Sequence, residues 1–153
     1  MKLIYGAILA TAFAAPAFAE SHSMGDAAAG EKEFNKCKAC HSIVDDAGEM
    51  IQRGGQIGPN LYNVVGRQAG SLEDFRYGDS LVEAGEGGLV WDQETLTAYL
   101  TDPTDFLRTT LDDKRARSNM AFKLRKGSED VAAYLASVSP DAEAMSDEEP
   151  KSE

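Results

Sequence analysis

One five-residue stretch limits what this chain can fold around, namely Cys37-Lys38-Ala39-Cys40-His41. It has the form C-x-x-C-H, the attachment signal for a c-type haem. Two thiols one helical turn apart can each add to a vinyl group of a porphyrin. The histidine that follows is then carried beneath the iron, where its imidazole becomes an axial ligand. The motif therefore predicts one haem bound covalently by Cys37 and Cys40, with His41 as an iron ligand.

Two other interpretations of the motif are open. A zinc site needs about four nitrogen or sulfur ligands, whereas the chain has two cysteines and two histidines, His22 and His41. A thioredoxin-like dithiol would follow a strand within a βαβ unit. Here the sequence before the motif is helix-like and the sequence after it is rich in glycine. Both alternatives fit the chain less well than a haem does.

The first nineteen residues have the features of an export signal. Lys2 supplies a positive charge, residues 3–15 form an apolar core, and Ala17-Phe18-Ala19 is a small-x-small cleavage site before Glu20. The apolar run is too short, and wrongly flanked, for a membrane span. The sequence thus predicts a signal peptide over residues 1–19 and a mature protein in the periplasm.

The chain is acidic, with a formal net charge of −11 over 153 residues. That charge, and the lack of any motif that reads bases, argues against nucleic acid as a partner. From Pro140 to the end, six carboxylates face one lysine, and aromatic and β-branched residues are absent. Such a segment predicts a disordered acidic tail over residues 140–153. One folded domain is then expected over residues 20–139.

The folded region predicts helices and no long strand. Apolar residues at helical spacing predict a first helix over residues 26–38 and a last helix over residues 128–137. Gly30 weakens the first helix, so its expected purpose is a close crossing with the last one. Shorter helices are predicted over residues 61–65, 91–101 and 103–110, between glycine-rich loops. The pattern predicts an all-α chain wrapped around a flat cofactor.

The function of a haem protein depends on the sixth position of its iron. An open position binds gases or peroxide, whereas a closed one only passes electrons. The candidate ligands are His22, Met24, Met50, Met120 and Met145. Three of these lie near the chain ends, and Met50 follows His41 too closely to reach the opposite haem face easily. Met120 remains, although a methionine beside Phe122 is also ordinary core packing.

A series of short motifs occurs in a fixed order between Gly25 and Ser139. The series is Gly30-Glu31-Lys32-Glu33-Phe34, the C-x-x-C-H motif, Gly58-Pro59-Asn60-Leu61, Gly66-Arg67, Phe75-x-Tyr77, Trp91, Tyr99-Leu100-x-x-Pro103, Met120-x-Phe122 and Val131-x-x-Tyr134-Leu135. With this series the chain resembles class I c-type cytochromes, in the branch of mitochondrial cytochrome c and the bacterial periplasmic cytochromes of the cytochrome c2 type. The chain departs from the mitochondrial proteins in a longer 102–119 segment, in Asn119 and in the acidic tail.

The resemblance implies a cytochrome c fold, in which the N- and C-terminal helices cross through Gly30, Phe34, Val131 and Tyr134. It also implies roles around the haem. Met120 would be the axial ligand opposite His41, and the Pro59 carbonyl would accept from the outer nitrogen of His41. A polar group around a buried haem propionate would consist of Arg67, Tyr77 and Trp91. Tyr99 would form a hydrogen bond near the Met120 sulfur.

The resemblance further implies a mobile one-electron carrier, and not an enzyme. Its expected donor is a quinol-oxidising cytochrome bc complex, and its expected acceptor is a terminal oxidase, a photosynthetic reaction centre or a peroxidase. Transient docking is expected through basic residues around the haem edge, which are Lys36, Lys38, Lys114, Arg115, Lys123 and Lys126. A merely solvated basic stretch is the alternative. The rival functions are a gas- or peroxide-binding haem protein, a thiol oxidoreductase and a structural module.

Overall fold

The structure is a computed structural model, and it describes residues 25–141 of the chain. The predicted signal peptide lies outside the described residues, and so does the predicted acidic tail beyond Asp141. Three of the candidate iron ligands lie outside them as well, namely His22, Met24 and Met145. Within the described part, no helix combines the length and the apolar character that a bilayer crossing requires.

Five short helices and one small hairpin make up the regular structure of residues 25–141. In chain order they are α1 (Ala27–Glu33), extended by a 3-10 turn (Phe34–Lys36), β1 (Ile43–Val44), β2 (Met50–Gln52), α2 (Asp79–Glu86), α3 (Gln93–Thr101), α4 (Pro103–Thr110) and α5 (Ser128–Ser137). The two strands pair antiparallel, with Ile43 opposite Gln52. The predicted helical class is confirmed, and the hairpin is a small addition to it.

Aspartates begin three of the helices, as the capping rules require. The Asp26 side chain accepts from the backbone of Ala28 at 2.8 Å and of Ala29 at 3.1 Å, which starts α1. Asp92 and Thr95 form a reciprocal capping box at the start of α3. Asp102 caps α4, whose first residue is a proline. The helix predicted over residues 91–101 therefore begins two residues later, directly after its cap.

The first and last helices cross at Gly30, as the sequence predicts. A Cβ at this position would lie 1.9 Å from the Asp130 carbonyl oxygen, so only glycine permits this approach. Beside the crossing, the rings of Phe34 and Tyr134 meet with centroids 5.6 Å apart. Phe34 and Val131 are fully buried. This contact closes the domain and brings its two ends together.

Three local predictions differ from the structure. The helix predicted over residues 26–38 is α-helical only over Ala27–Glu33, and its 3-10 extension ends at Lys36. Residues 61–65 form turns instead of a helix, because the Asn60 side chain accepts from the backbone of Val44 and Tyr62 and holds the chain in a bend. Helix α2 is missing from the predictions, since glycines flank it on both sides and suggest a loop. Its Ala84 is nevertheless buried in the core. Tertiary packing outweighs local propensity at this helix.

Candidate functional site

Side chains from most parts of the described chain line one cavity of about 560 Å³. Cys37, Cys40 and His41 contribute to the lining, and so does Met120, which lies far along the chain. A cavity of this volume is typical of a site for a small molecule or cofactor. Most of the rest of the lining is apolar, including Leu61, Val64, Leu81, Leu96, Leu100, Val131 and Leu135. The core of the domain is therefore built around this cavity.

The C-x-x-C-H residues follow directly on α1 and its 3-10 turn. The backbone continues to coil there, with Cys40 N–H donating to the Cys37 carbonyl at 3.0 Å and His41 N–H donating to the same carbonyl at 2.9 Å. This turn brings both sulfur-bearing side chains and the imidazole to the same cavity. A helical segment, and not a strand, precedes the motif, which gives the dithiol interpretation no support.

His41 is oriented by the segment that follows the hairpin. Its Nδ1 lies 2.9 Å from the Pro59 carbonyl oxygen, which can only accept, so Nδ1 carries the proton. Burial lowers the pKa of the imidazole, and the bond to Pro59 opposes this shift. Nε2 of the neutral ring therefore keeps its lone pair for a metal. A Cβ on Gly58 would lie 2.3 Å from Cε1 of the ring, so glycine permits this packing.

Neither zinc nor dithiol chemistry gains support from the cysteines. Burial is the largest influence on Cys37 and raises the pKa of its thiol to about 11, while Lys36 opposes the shift. Reactive thiols have lowered pKa values instead. Among residues 25–141, no group of three or more histidine, cysteine or acidic side chains is arranged to hold a metal ion.

The three residues predicted around a haem propionate all line the cavity. Arg67 donates to the carbonyl oxygens of Asn60 and Tyr62, each at 3.2 Å. Burial lowers the pKa of its guanidinium, and the neighbouring Tyr77 opposes the shift. Trp91 is buried, and its backbone N–H donates to the Arg67 carbonyl at 2.9 Å. Arg67, Tyr77 and Trp91 therefore form one group in the cavity wall.

The charges of the cavity wall match a porphyrin, which carries two carboxylates. The charged side chains in the lining are all basic, and they are Lys36, Arg67, Arg76 and Arg117. The chain has a net charge of −11, yet the cavity lining contains four basic side chains and no carboxylate, so it is suited to an anionic ligand. Together with two thiols and a neutral imidazole, this wall fits a covalently bound haem.

Tyr99 is linked to Met120 through Ser118, a connection that the sequence did not suggest. Its phenol oxygen lies 2.9 Å from the Ser118 hydroxyl, and that hydroxyl accepts from the Met120 backbone N–H at 3.1 Å. Burial raises the pKa of the Tyr99 phenol, whereas the bond with Ser118 lowers it. Ser118 thus joins helix α3 to the Met120 segment. Its position two residues before Met120 was the only available signal.

Of the two methionines that the structure describes, only Met120 lines the cavity. Met50 lies on β2, is 48% exposed and takes no part in the cavity lining, whereas Met120 lines it. Two further basic residues line the cavity: Arg117, which belongs to the basic stretch of residues 108–126, and Arg76, which the sequence did not indicate. The start of α2 holds Arg117, because its backbone N–H donates to the Ser80 hydroxyl at 3.2 Å. Only the folded chain brings these two arginines to the cavity.

Comparisons with known proteins agree on one family. Cytochrome c-551 of Roseobacter denitrificans is 65% identical over 133 residues, covering 86% of this chain and 92% of its own length. Cytochrome c2 of Rhodobacter capsulatus is 54% identical over 138 residues, or 90% of this chain and 97% of its own.

Solved structures give the same result. The cytochrome c2 structure from Rhodobacter capsulatus has a TM-score of 0.74 at 59% identity and covers 74% of this chain and 98% of its own. The cytochrome c2 structure from Paracoccus denitrificans has a TM-score of 0.75 at 52% identity, covering 77% of this chain and 99% of its own. No family model matches the chain.

Proposed function

Because this chain belongs to the cytochrome c2 family of class I c-type cytochromes, we propose that it is a mobile one-electron carrier with both axial positions closed by His41 and Met120. As a member of this family it binds one haem c covalently and transfers electrons, and it is not an enzyme. The bound haem supplies a couple between Fe(II) and Fe(III). The protein binds and orients this group and keeps water away from it.

The observation that carries the proposal is the convergence of four side chains on one cavity. Cys37, Cys40 and His41 come from the segment after α1, and Met120 comes from the segment before α5. The cysteines would hold the porphyrin, and His41 would present Nε2, because Pro59 occupies Nδ1. The thioether of Met120 would complete the iron coordination and favour the reduced state. A closed site leaves no vacancy for a gas or a peroxide.

The experiment compares carbon monoxide binding in wild type, Met120→Ala and Met50→Ala. We expect the spectrum of the reduced wild-type protein to be unaffected by carbon monoxide, because both axial positions are filled. Met120→Ala should bind carbon monoxide and lower the reduction potential, since the thioether that favours Fe(II) is lost. The Met50→Ala control should behave as the wild type does. Ready uptake of carbon monoxide by the reduced wild type at neutral pH would contradict the proposal.

Docking is proposed through the six basic residues that the sequence predicts around the haem edge, toward acidic surfaces of the redox partners. Of the six predicted residues, three form ion pairs within the protein, which are Lys36 with Glu33, Arg115 with Asp113 and Lys123 with Asp102. In the described part of the chain, the other three form no ion pair and are available to a partner, namely Lys38, Lys114 and Lys126. They are the stronger docking candidates.

The proposed donor is a quinol-oxidising cytochrome bc complex, and the proposed acceptor is a terminal oxidase or a photosynthetic reaction centre. Electrostatic docking predicts electron-transfer rates that fall as salt rises. The triple variant Lys38→Gln, Lys114→Gln and Lys126→Gln should weaken this dependence, with purified membrane complexes as partners. A salt response that is flat in the wild type would contradict docking by charge, while leaving the axial ligands unaffected.

Export to the periplasm is proposed from residues 1–19, which lie outside the described residues. The proposed domain covers residues 20–139, and its end is attached to the core, because the buried Ser139 hydroxyl accepts from the Val65 backbone N–H at 3.1 Å and donates to the Leu135 carbonyl at 2.7 Å. The Asp141 backbone N–H also donates to the Asn63 side chain at 3.3 Å, so contacts with the domain continue two residues past this boundary. The mass of the protein from a periplasmic fraction should correspond to a chain that begins at Glu20. A mass that includes the leader would contradict cleavage at this position.

A further inference from the structure

The segment that carries Met120 has no helix or strand of its own. It runs from Leu111 to Gly127, between α4 and α5. Asn119, Ala121 and Phe122 are exposed to the cavity that they line, so the protein itself buries little of the chain around Met120. The segment must therefore be held through contacts that its two arms make with the rest of the protein.

Both arms attach to the corner where α3 ends and α4 begins. On the upstream arm, Ser118 N–H donates to the Thr104 hydroxyl at 3.4 Å. On the downstream arm, Leu124 N–H donates to the Leu100 carbonyl at 2.7 Å, and the Leu124 side chain is buried. These contacts anchor the backbone on either side of Met120.

One ion pair joins the same corner to the downstream arm. Lys123 Nζ lies 2.5 Å from Asp102 Oδ2, and Lys123 is three residues after Met120. The other carboxylate oxygen of Asp102 accepts from the Asp105 backbone N–H at 3.2 Å, so this aspartate also caps α4. The hydrogen bond from Lys123 is the largest cause that lowers the pKa of the Asp102 carboxyl. Asp102 therefore connects α3, α4 and the Met120 segment.

We propose that Asp102 and Lys123 are positioning residues, and that their ion pair acts as a latch that holds the Met120 segment closed over the cavity. The inference rests on the proposed function, in which Met120 is the second axial ligand. Each opening of the segment would separate the methionine from the iron. Because the pair is partly exposed and breaks when the segment opens, its loss should raise the opening rate, and with it the population of the open segment, only about two- to five-fold.

Imidazole added to the oxidised holoprotein measures this opening, because it can bind iron only while Met120 is away. The binding rate of the wild type should reach a ceiling at high imidazole, and this ceiling is the opening rate. At low salt, Lys123→Gln and Asp102→Asn should each raise the ceiling about two- to five-fold. The double variant should rise no further, since both single changes remove the same contact. Asparagine keeps a capping side chain on α4.

Arg125→Gln is the matched control, because it removes one positive charge from the same exposed arm. Arg125 forms no ion pair with any residue that the structure describes. The limiting imidazole-binding rate of Arg125→Gln should equal that of the wild type. At high salt, the limiting imidazole-binding rate of the wild type should approach that of Lys123→Gln and Asp102→Asn, because salt weakens the ion pair. The limiting rate of Arg125→Gln should stay equal to that of the wild type.

Amide hydrogen exchange supplies a readout that does not depend on imidazole. The backbone N–H groups of Met120 and Leu124 should exchange faster in Lys123→Gln, whereas those at the crossing of α1 and α5 should be unchanged. Equal ceilings and equal exchange in all variants would overturn the latch. A wild-type rate that rises linearly with imidazole and has no ceiling would overturn the proposed Met120 ligation, and the latch with it.

Discussion

The crossing of α1 with α5 and the segment from Leu111 to Gly127 are held by opposite means. At the crossing, Phe34 and Val131 are fully buried, and a glycine lets two backbones touch. Around Met120, hydrogen bonds and one ion pair connect an exposed stretch to a helix corner. The apolar packing at the crossing contributes to the free energy of unfolding of the whole domain. The few polar contacts around Met120 fix the position of its segment and add little to that free energy. The two regions should therefore respond separately to mutation.

The largest effect is expected from Phe34→Ala. Removing a fully buried aromatic ring leaves a cavity beside Tyr134, and we expect the free energy of unfolding to fall by about 3–5 kcal/mol. Denaturant unfolding of the holoprotein, followed through the fluorescence of Trp91, measures this change. The comparison variant is Phe122→Ala in the other region, where a residue that lines the cavity and is 45% exposed should cost less. Equal losses in the two variants would contradict the contrast between the regions.

An intermediate effect is expected from Gly30→Ala. The added Cβ would lie 1.9 Å from the Asp130 carbonyl oxygen, so α1 and α5 must move apart. Overpacking of this kind costs about 1–3 kcal/mol of unfolding free energy. Ala28→Ser, on the exposed side of the same helix, is the control and should change the midpoint of unfolding little. A stable Gly30→Ala variant would mean that the crossing is not tightly packed.

The same contrast explains how much of the molecule the sequence could predict. The crossing follows from apolar periodicity and a single glycine in a helix, which are local signals, and its prediction is confirmed. Helix α5 is found with the predicted bounds of Ser128–Ser137. Helix α2 was not predicted, because glycines flank it on both sides and its stability comes from packing against distant residues, such as the close approach of Gly85 to Ala69.

The candidate site divides in the same way. Cys37, Cys40 and His41 are adjacent in the sequence, so a motif was sufficient to find them. The contact between His41 and Pro59 was implied by family resemblance and has its counterpart in the structure. Ser118 could not be found, because its importance comes from a tyrosine nineteen positions earlier in the chain. Contacts between distant segments depend on the fold, and a short polar residue gives no periodic signal.

The smallest effect on global stability, and the most local one, is expected from Ser118→Ala. Its hydroxyl contacts both the Tyr99 phenol and the Met120 backbone N–H, so its loss leaves two polar groups without this partner. The free energy of unfolding should fall by about 0.5–1.5 kcal/mol. Amide exchange should accelerate at Met120 and stay unchanged at α5, because Ser118 belongs to a region that can open by itself.

Ser118→Thr separates the hydroxyl from the shape of the residue. Threonine keeps the donor and acceptor atoms, so it should restore slow exchange at Met120, whereas alanine should not. If alanine accelerated exchange at α5 as much as at Met120, the two regions would unfold as one unit. The contrast between a packed crossing and a tethered methionine segment would then fail. If exchange is altered at Met120 alone, the sulfur can leave the cavity while the crossing of α1 and α5 stays intact.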